Sequence, residues 1–195
     1  MRASFLFVAA LSLLTAAAAC TIDNPSNRFA DITYAHRPDI GLDVGVVEVE
    51  QAYQDSGQPP HVENRFPQKP GAVAQQWARD RLVARGDRLT FRYVVRQASA
   101  VETSLEQTGG VTGLITTDQS ERYEVHMVVE MQILDGRQLQ GTATAEARRS
   151  VTVAEDISLN ERERVWYKLT EDTMNDLDKQ LEETIRSAFF PYIVL

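Results

Sequence analysis

The 195 residues contain a single cysteine, Cys20, which excludes an internal disulfide. Histidine is almost as scarce. His36, His61 and His126 lie far apart with no paired spacing, so neither a Cys/His zinc site nor a histidine-based catalytic centre is expected. No apolar run reaches the roughly 20 residues that a bilayer-spanning helix needs. The Gly-x-Ser-x-Gly elbow, a phosphate-cradling glycine loop ahead of a helix and a calcium-binding loop are also missing. Basic residues are outnumbered, giving a net charge of −8, so binding to nucleic acid through bulk charge is not expected. The expectation is therefore a protein that is not an enzyme and carries neither cofactor nor metal.

What the chain does contain begins with export. Met1 and Arg2 give a positive start, Phe5 to Leu14 an apolar run and Thr15 to Ala19 a stretch of small residues, the pattern of a secretory signal peptide over residues 1–19. Cys20 follows Ala17-Ala18-Ala19 directly. This arrangement resembles the lipobox of bacterial lipoproteins, although Ala17 stands where that family prefers leucine. The resemblance implies that Cys20 carries acyl groups and anchors the chain to a membrane. In that family an aspartate after the cysteine favours inner-membrane retention; Thr21 stands there, so the resemblance implies the outer membrane, facing the periplasm. The alternative is ordinary cleavage and a soluble periplasmic product with a free thiol. Residues 20–39 are polar, with Asn24-Pro25 and Arg37-Pro38, and read as a tether; an ordered segment wrapping the domain is the alternative.

The chain is 43% hydrophobic and 25% charged, which fits one globular domain, expected over residues 40–195. Ile40 to Tyr53 reads as a first strand with a bulge near Gly45, and Gln54 to Pro70, rich in proline, as a connection. Pro70 to Gly86 reads as a helix, with Val73, Trp77, Ala78 and Leu82 at helical spacing and Gly86 ending it. From Asp87 to Thr103, Leu89, Phe91, Tyr93 and Val95 alternate with an outer row holding Arg88, Arg92 and Arg96. Those arginines form a basic stripe that either meets a partner's anions or pairs across strands with Glu124, Glu130 or Glu146. Gln107 to Ser120, with Gly109 and Gly110, reads as a long hairpin tip and a candidate contact loop.

Tyr123, Val125, Met127, Val129, Met131 and Ile133 give a half-buried strand that Asp135-Gly136 turns into the next. There Gly141, Ala143, Ala145 and Ala147 face inward, a row of small residues on which a helix can lie close. Ser158-Leu159-Asn160-Glu161 is a capping box. It opens a helix of roughly 30 residues whose apolar stripe runs through Trp166, Leu169, Thr173, Leu177, Leu181, Ile185 and Ala188 to Phe189, with Pro191 as the stop. The last residues, Phe190 to Leu195, are apolar. They pack back on the domain or, with Phe190, Tyr192 and Leu195 as contacts, insert into a partner.

The sum is an α+β domain of order β-α-β-β-β-α, with a mostly antiparallel four-stranded sheet and two helices on one face. Set behind a lipobox, this order resembles small envelope lipoproteins of two families: the outer-membrane lipoprotein of the lipopolysaccharide-assembly machine, and the auxiliary lipoproteins of ABC-type lipid transporters. The resemblance implies a non-catalytic accessory role in membrane assembly or lipid transport, with a β-barrel or an ABC transporter component as partner. The alternative is a lipid or amphiphile carrier, using an apolar groove under the long helix.

Overall fold

The computed structural model describes residues 29–105, 119–154 and 156–194. The expected leader, Cys20, the Gly109-Gly110 tip and Leu195 lie outside the described residues.

Among the described residues, six strands and two α-helices follow in the order β1 (Ile40–Leu42), β2 (Val46–Gln51), α1 (Pro70–Arg81), β3 (Leu82–Ala84), β4 (Thr90–Ser104), β5 (Gln119–Asp135), β6 (Gln138–Ala154) and α2 (Leu159–Ala188). The main sheet has the order β2-β4-β5-β6. Its β4-β5 and β5-β6 pairs are antiparallel while β2 joins β4 in parallel, so the sheet is mixed. Both helices pack on one face, α2 mainly over β6 and β5, and α1 over β4 and β2. The fold is α+β with the expected layers.

The first strand does not run through with a bulge. It breaks into β1 and β2 at Asp43-Val44-Gly45, and the reason is a close backbone approach. A side chain on Gly86 would run into the Asp43 carboxylate and stand 2.7 Å from the Asp43 carbonyl carbon, and one on Gly45 would stand 2.9 Å from the Asp87 carbonyl carbon. The Gly86 N–H donates to Val44 O at 3.0 Å and the Gly45 N–H to Leu89 O at 2.8 Å. The β1–β2 and β3–β4 segments therefore jog together, and only glycine fits between them. Gly86 serves this crossing rather than a helix end. The helix stops at Arg81, because Leu82–Ala84 pairs in parallel with Ile40–Leu42.

Around this frame the apolar pattern closes as the alternation requires. Tyr123, Val125, Met127, Val129, Met131 and Ile133 are all fully buried. Gly136, at a positive φ of 58°, begins the two-residue loop between β5 and β6. In β4 a bulge at Arg96, between Val95 and Gln97, shifts the inward phase so that Ala98 and Ala100 continue the buried row. The capping box forms in full: the Glu161 N–H donates to Ser158 Oγ and the Ser158 N–H to the Glu161 carboxylate. Thirty residues of α2 then span about 45 Å. Its stripe is buried from Trp166 to Ile185, but Ala188 is exposed and Phe189 takes the core place, edge-on to Phe91.

The described part of the expected tether is folded onto the domain. Phe29 stacks on Tyr167, Ile32 and Tyr34 are buried, the Tyr34 hydroxyl donates to Asn175 and Arg37 lies 3.3 Å from Asp178. The C-terminal segment also packs back. Ile193 bridges Leu42, the Asp43 N–H donates to Tyr192 O at 2.8 Å and the Val194 N–H to Gly41 O at 2.9 Å. The tail thus lies along β1 opposite β3.

Candidate functional site

The face of the sheet away from the helices carries the arginine stripe. Arg92 pairs with Glu48 at 2.9 Å and Glu50 at 3.2 Å on the parallel neighbour β2, and Arg96 with Glu130 at 2.8 Å on β5. Arg88 precedes β4 and reaches Asp135 at 3.5 Å. Among the glutamates expected opposite the stripe, Glu130 pairs with Arg96, Glu124 faces Arg122 and Arg148, and Glu146 bonds His126. Arg96 holds the Glu130 carboxyl below its usual range, with a further hydrogen bond from Gln132, so this pair stays ionised at neutral pH. The face is a lattice of opposite charges across strands, each spent on a neighbour.

In the tail, Phe190 is 65% exposed, while Tyr192 and Ile193 are half-buried. Phe190 therefore offers a free ring beside backbone that is already paired with β1. The structure does not bring Phe190 together with the arginine stripe as one surface: the stripe lies on β4, and the tail lies along β1.

The groove expected beneath the small-residue row is closed. Phe189 lies 3.6 Å from where a Gly141 side chain would begin, and Ala145 and Ala147 are buried under α2. A cleft of about 390 Å³ opens further along, between the end of β6 and the first half of α2. Val151, Val165 and Leu169 form its walls, and Arg149, Arg164 and Lys168 stand at its rim. Arg149 is held by Asp176, and Lys168 by Glu171 and Asp172.

Two buried polar clusters escape sequence reasoning. In the first, Asp178, 2% exposed, accepts from Trp77 Nε1 at 2.7 Å and from Arg81 at 3.1 Å, and Arg81 also reaches Glu182 at 3.0 Å. This network ties α1 to α2. The second lies in the proline-rich connection. Glu63, 3% exposed, accepts at Oε1 from the Tyr53 hydroxyl at 2.6 Å and the Ala100 N–H at 3.0 Å, with His61 Nδ1 also at 3.0 Å. Burial pushes the Glu63 carboxyl up, but these hydrogen bonds outweigh it and hold the group below its usual range. Burial, and after it the same carboxylate, push the Tyr53 hydroxyl up, so it stays protonated as the donor. Oε2 of Glu63 is buried and has no hydrogen-bond partner among the described residues. Glu63 also lines a cleft of about 150 Å³ at the start of α1, together with Gln51, Tyr53, Asp55, Lys69 and Gly71.

No family model and no curated protein matches the chain. Among solved structures it is similar to rare lipoprotein B from Shewanella oneidensis, at 16% identity over 71% of this chain and 92% of that one, with a TM-score of 0.37. It is also similar to a minor lipoprotein from Acinetobacter baumannii, at 13% identity over 79% of this chain and 98% of that one, with a TM-score of 0.40.

Proposed function

We propose that this chain is an envelope lipoprotein, anchored through Cys20 in the outer membrane and facing the periplasm, whose domain is a non-catalytic accessory in outer-membrane assembly or in lipid or lipopolysaccharide transport. Its partner on this reading is a β-barrel or an ABC transporter component. The observation that carries the reading is how soon the folded body begins after the expected anchor. Phe29 already stacks on α2, and the segment continues through buried Ile32 and Tyr34. The chain between Cys20 and Phe29 reaches at most about 30 Å when fully extended. A domain on so short a leash works at the surface of the membrane that holds it. The open face of the sheet and the exposed Phe190 ring are then the surfaces available to a partner in that membrane.

Two measurements test this. Metabolic labelling with palmitate should mark the wild type and not Cys20→Ser, and the variant should move to the soluble fraction; an unlabelled, soluble wild type defeats the anchoring. Detergent extraction of the tagged protein from its own membranes, followed by mass spectrometry, should return a barrel protein or a transporter component in stoichiometric amount. The cleft between β6 and α2, with apolar walls and a cationic rim, supports the carrier as a second reading. Its mark is lipid without protein in the same preparation.

A further inference from the structure

β6 is an outer strand of the main sheet with one side unused. It contains no proline and pairs with β5 in unbroken register over residues 141–153. Every second residue of an antiparallel edge turns its N–H and C=O away from the neighbouring strand. Among the described residues, no backbone bond from another element reaches residues 141–153 on that side. The opposite edge, β2, is only six residues long. A long, unbroken edge is a template for a further strand.

The cleft of about 390 Å³ lies at this same edge. Its lining comes from β6 and α2 with no residue of β5, so it opens at the outer rim of the sheet. A strand laid beside β6 would send alternate side chains to the side that Val151 faces, one of them between Val151, Val165 and Leu169. An extended polypeptide thus meets the free backbone groups, and a large apolar side chain fills the cleft. At the rim, Asp176, Glu171 and Asp172 hold Arg149 and Lys168, which leaves Arg164, exposed on α2, to meet a carboxylate. A second copy of this chain does not fit the edge. α2 lies mainly over β6, adjacent strands are about 4.8 Å apart and packed helices need about 8–10 Å, so two copies with helices on one face would bring both α2 helices into the space of one. With the faces reversed, the polar row that includes Glu146 and Arg148 would turn toward the apolar walls.

We propose that β6 accepts an extended segment of a partner protein as a fifth strand of the main sheet, with a large apolar side chain seated between Val151, Val165 and Leu169 and a carboxylate two positions away meeting Arg164. The segment carries no helix layer of its own on the α2 side. This inference rests on the accessory reading above, in that the ligand is a protein, and adds the place and the chemistry of the contact.

The test uses the purified full-length protein in phosphatidylcholine nanodiscs and a labelled nonapeptide, Thr-Thr-Glu-Thr-Phe-Thr-Glu-Thr-Thr with blocked ends, followed by fluorescence anisotropy. Three comparison peptides replace both glutamates by lysine, the phenylalanine by alanine, or the threonines beside the phenylalanine by proline, which removes backbone donors. The first peptide should bind about tenfold or more tightly than each of the others. It should also slow amide hydrogen exchange in residues 141–153 and not in β2. Arg164→Glu, at an exposed position, should weaken the first peptide about tenfold and bind the lysine peptide better than the wild type does. No saturable binding, a proline peptide that binds equally well, unchanged exchange in β6 or unchanged affinities in Arg164→Glu overturns the proposal. Slowed β6 exchange in the protein alone that deepens with its concentration overturns it in favour of a second copy, and slowed exchange at residues 149–151 with lysophosphatidic acid but not with the peptide gives the cleft to a lipid. Failure to label Cys20 or to recover a partner from membranes counts against the accessory reading and leaves these peptide affinities as they are.

Discussion

The two tryptophans are both in the core, but they differ in how their N–H groups are partnered among the described residues. Trp77 Nε1 donates to Asp178 at 2.7 Å, whereas Trp166 Nε1 is buried with no partner among the described residues. Trp166 instead stacks on Phe66 at 5.2 Å, meets Tyr123 edge-on and lies under the Arg65 guanidinium. Replacement by phenylalanine removes similar apolar volume at each site. Trp77→Phe additionally takes a hydrogen bond from a buried charge and should cost about 1–3 kcal/mol more than Trp166→Phe in urea unfolding. Asp178→Ala should cost about 3–5 kcal/mol, because it strips Arg81, 2% exposed, of its buried partner. Chemical denaturation at neutral pH checks both. Neither the Arg81–Asp178 pair nor the role of Glu63 was legible in the sequence. Arg81 and Asp178 are 97 positions apart, and each looks like one more charge on a helix. Glu63 lies in a connection whose proline content argues only for irregular backbone, with no signal that a carboxylate there is buried.

Where an element's own periodicity decides its structure, it was readable. β5, the Asp135-Gly136 turn, β6 and α2 with its cap all follow the pattern of their own residues. Leu82–Ala84 did not, because Leu82 extends the helical spacing of α1 while pairing with Ile40–Leu42, 42 positions upstream, takes it into a strand. The bulge at Arg96 has no local signature either, yet it sets which face Gln97 and Ala98 occupy. The C-terminal tail shows the same limit: an apolar end is consistent with core or contact, and its bonds to Gly41 and Asp43 decide for packing. Deleting residues 190–195 removes those two backbone bonds and the Ile193 contact. It should lower the unfolding free energy by about 2–4 kcal/mol, read from the urea midpoint. An unchanged midpoint would mean that the tail contributes nothing to the fold and is free for a partner.

For the molecule as a whole, many carboxylates are held below their usual range in the folded state. Arg149 lowers Asp176, Arg186 and Arg81 lower Glu182, Arg96 lowers Glu130, and Glu63 has its cluster of donors. Each favours folding above the unfolded values of 3.8 for Asp and 4.5 for Glu, and that contribution disappears as pH falls through the lower folded values. Urea midpoints should therefore hold steady near neutrality and drop between about pH 5 and pH 3. Burial pushes the Tyr34, Tyr53, Tyr93 and Tyr123 hydroxyls above 10.0, so stability should also decline as pH climbs past that value. The pairing of the tail with β1 bears on a different matter, the order of events during synthesis. Ile193 and Leu42 are neighbours in space, yet a ribosome makes Ile193 151 residues after Leu42 (193 − 42). The contact cannot form until α2 and the residues that follow it have emerged, and long-range closure of this kind is slow. Until Ile193 is made, β1 lacks its neighbour on the side away from β3, so the domain closes only after its strands and both helices have been synthesised.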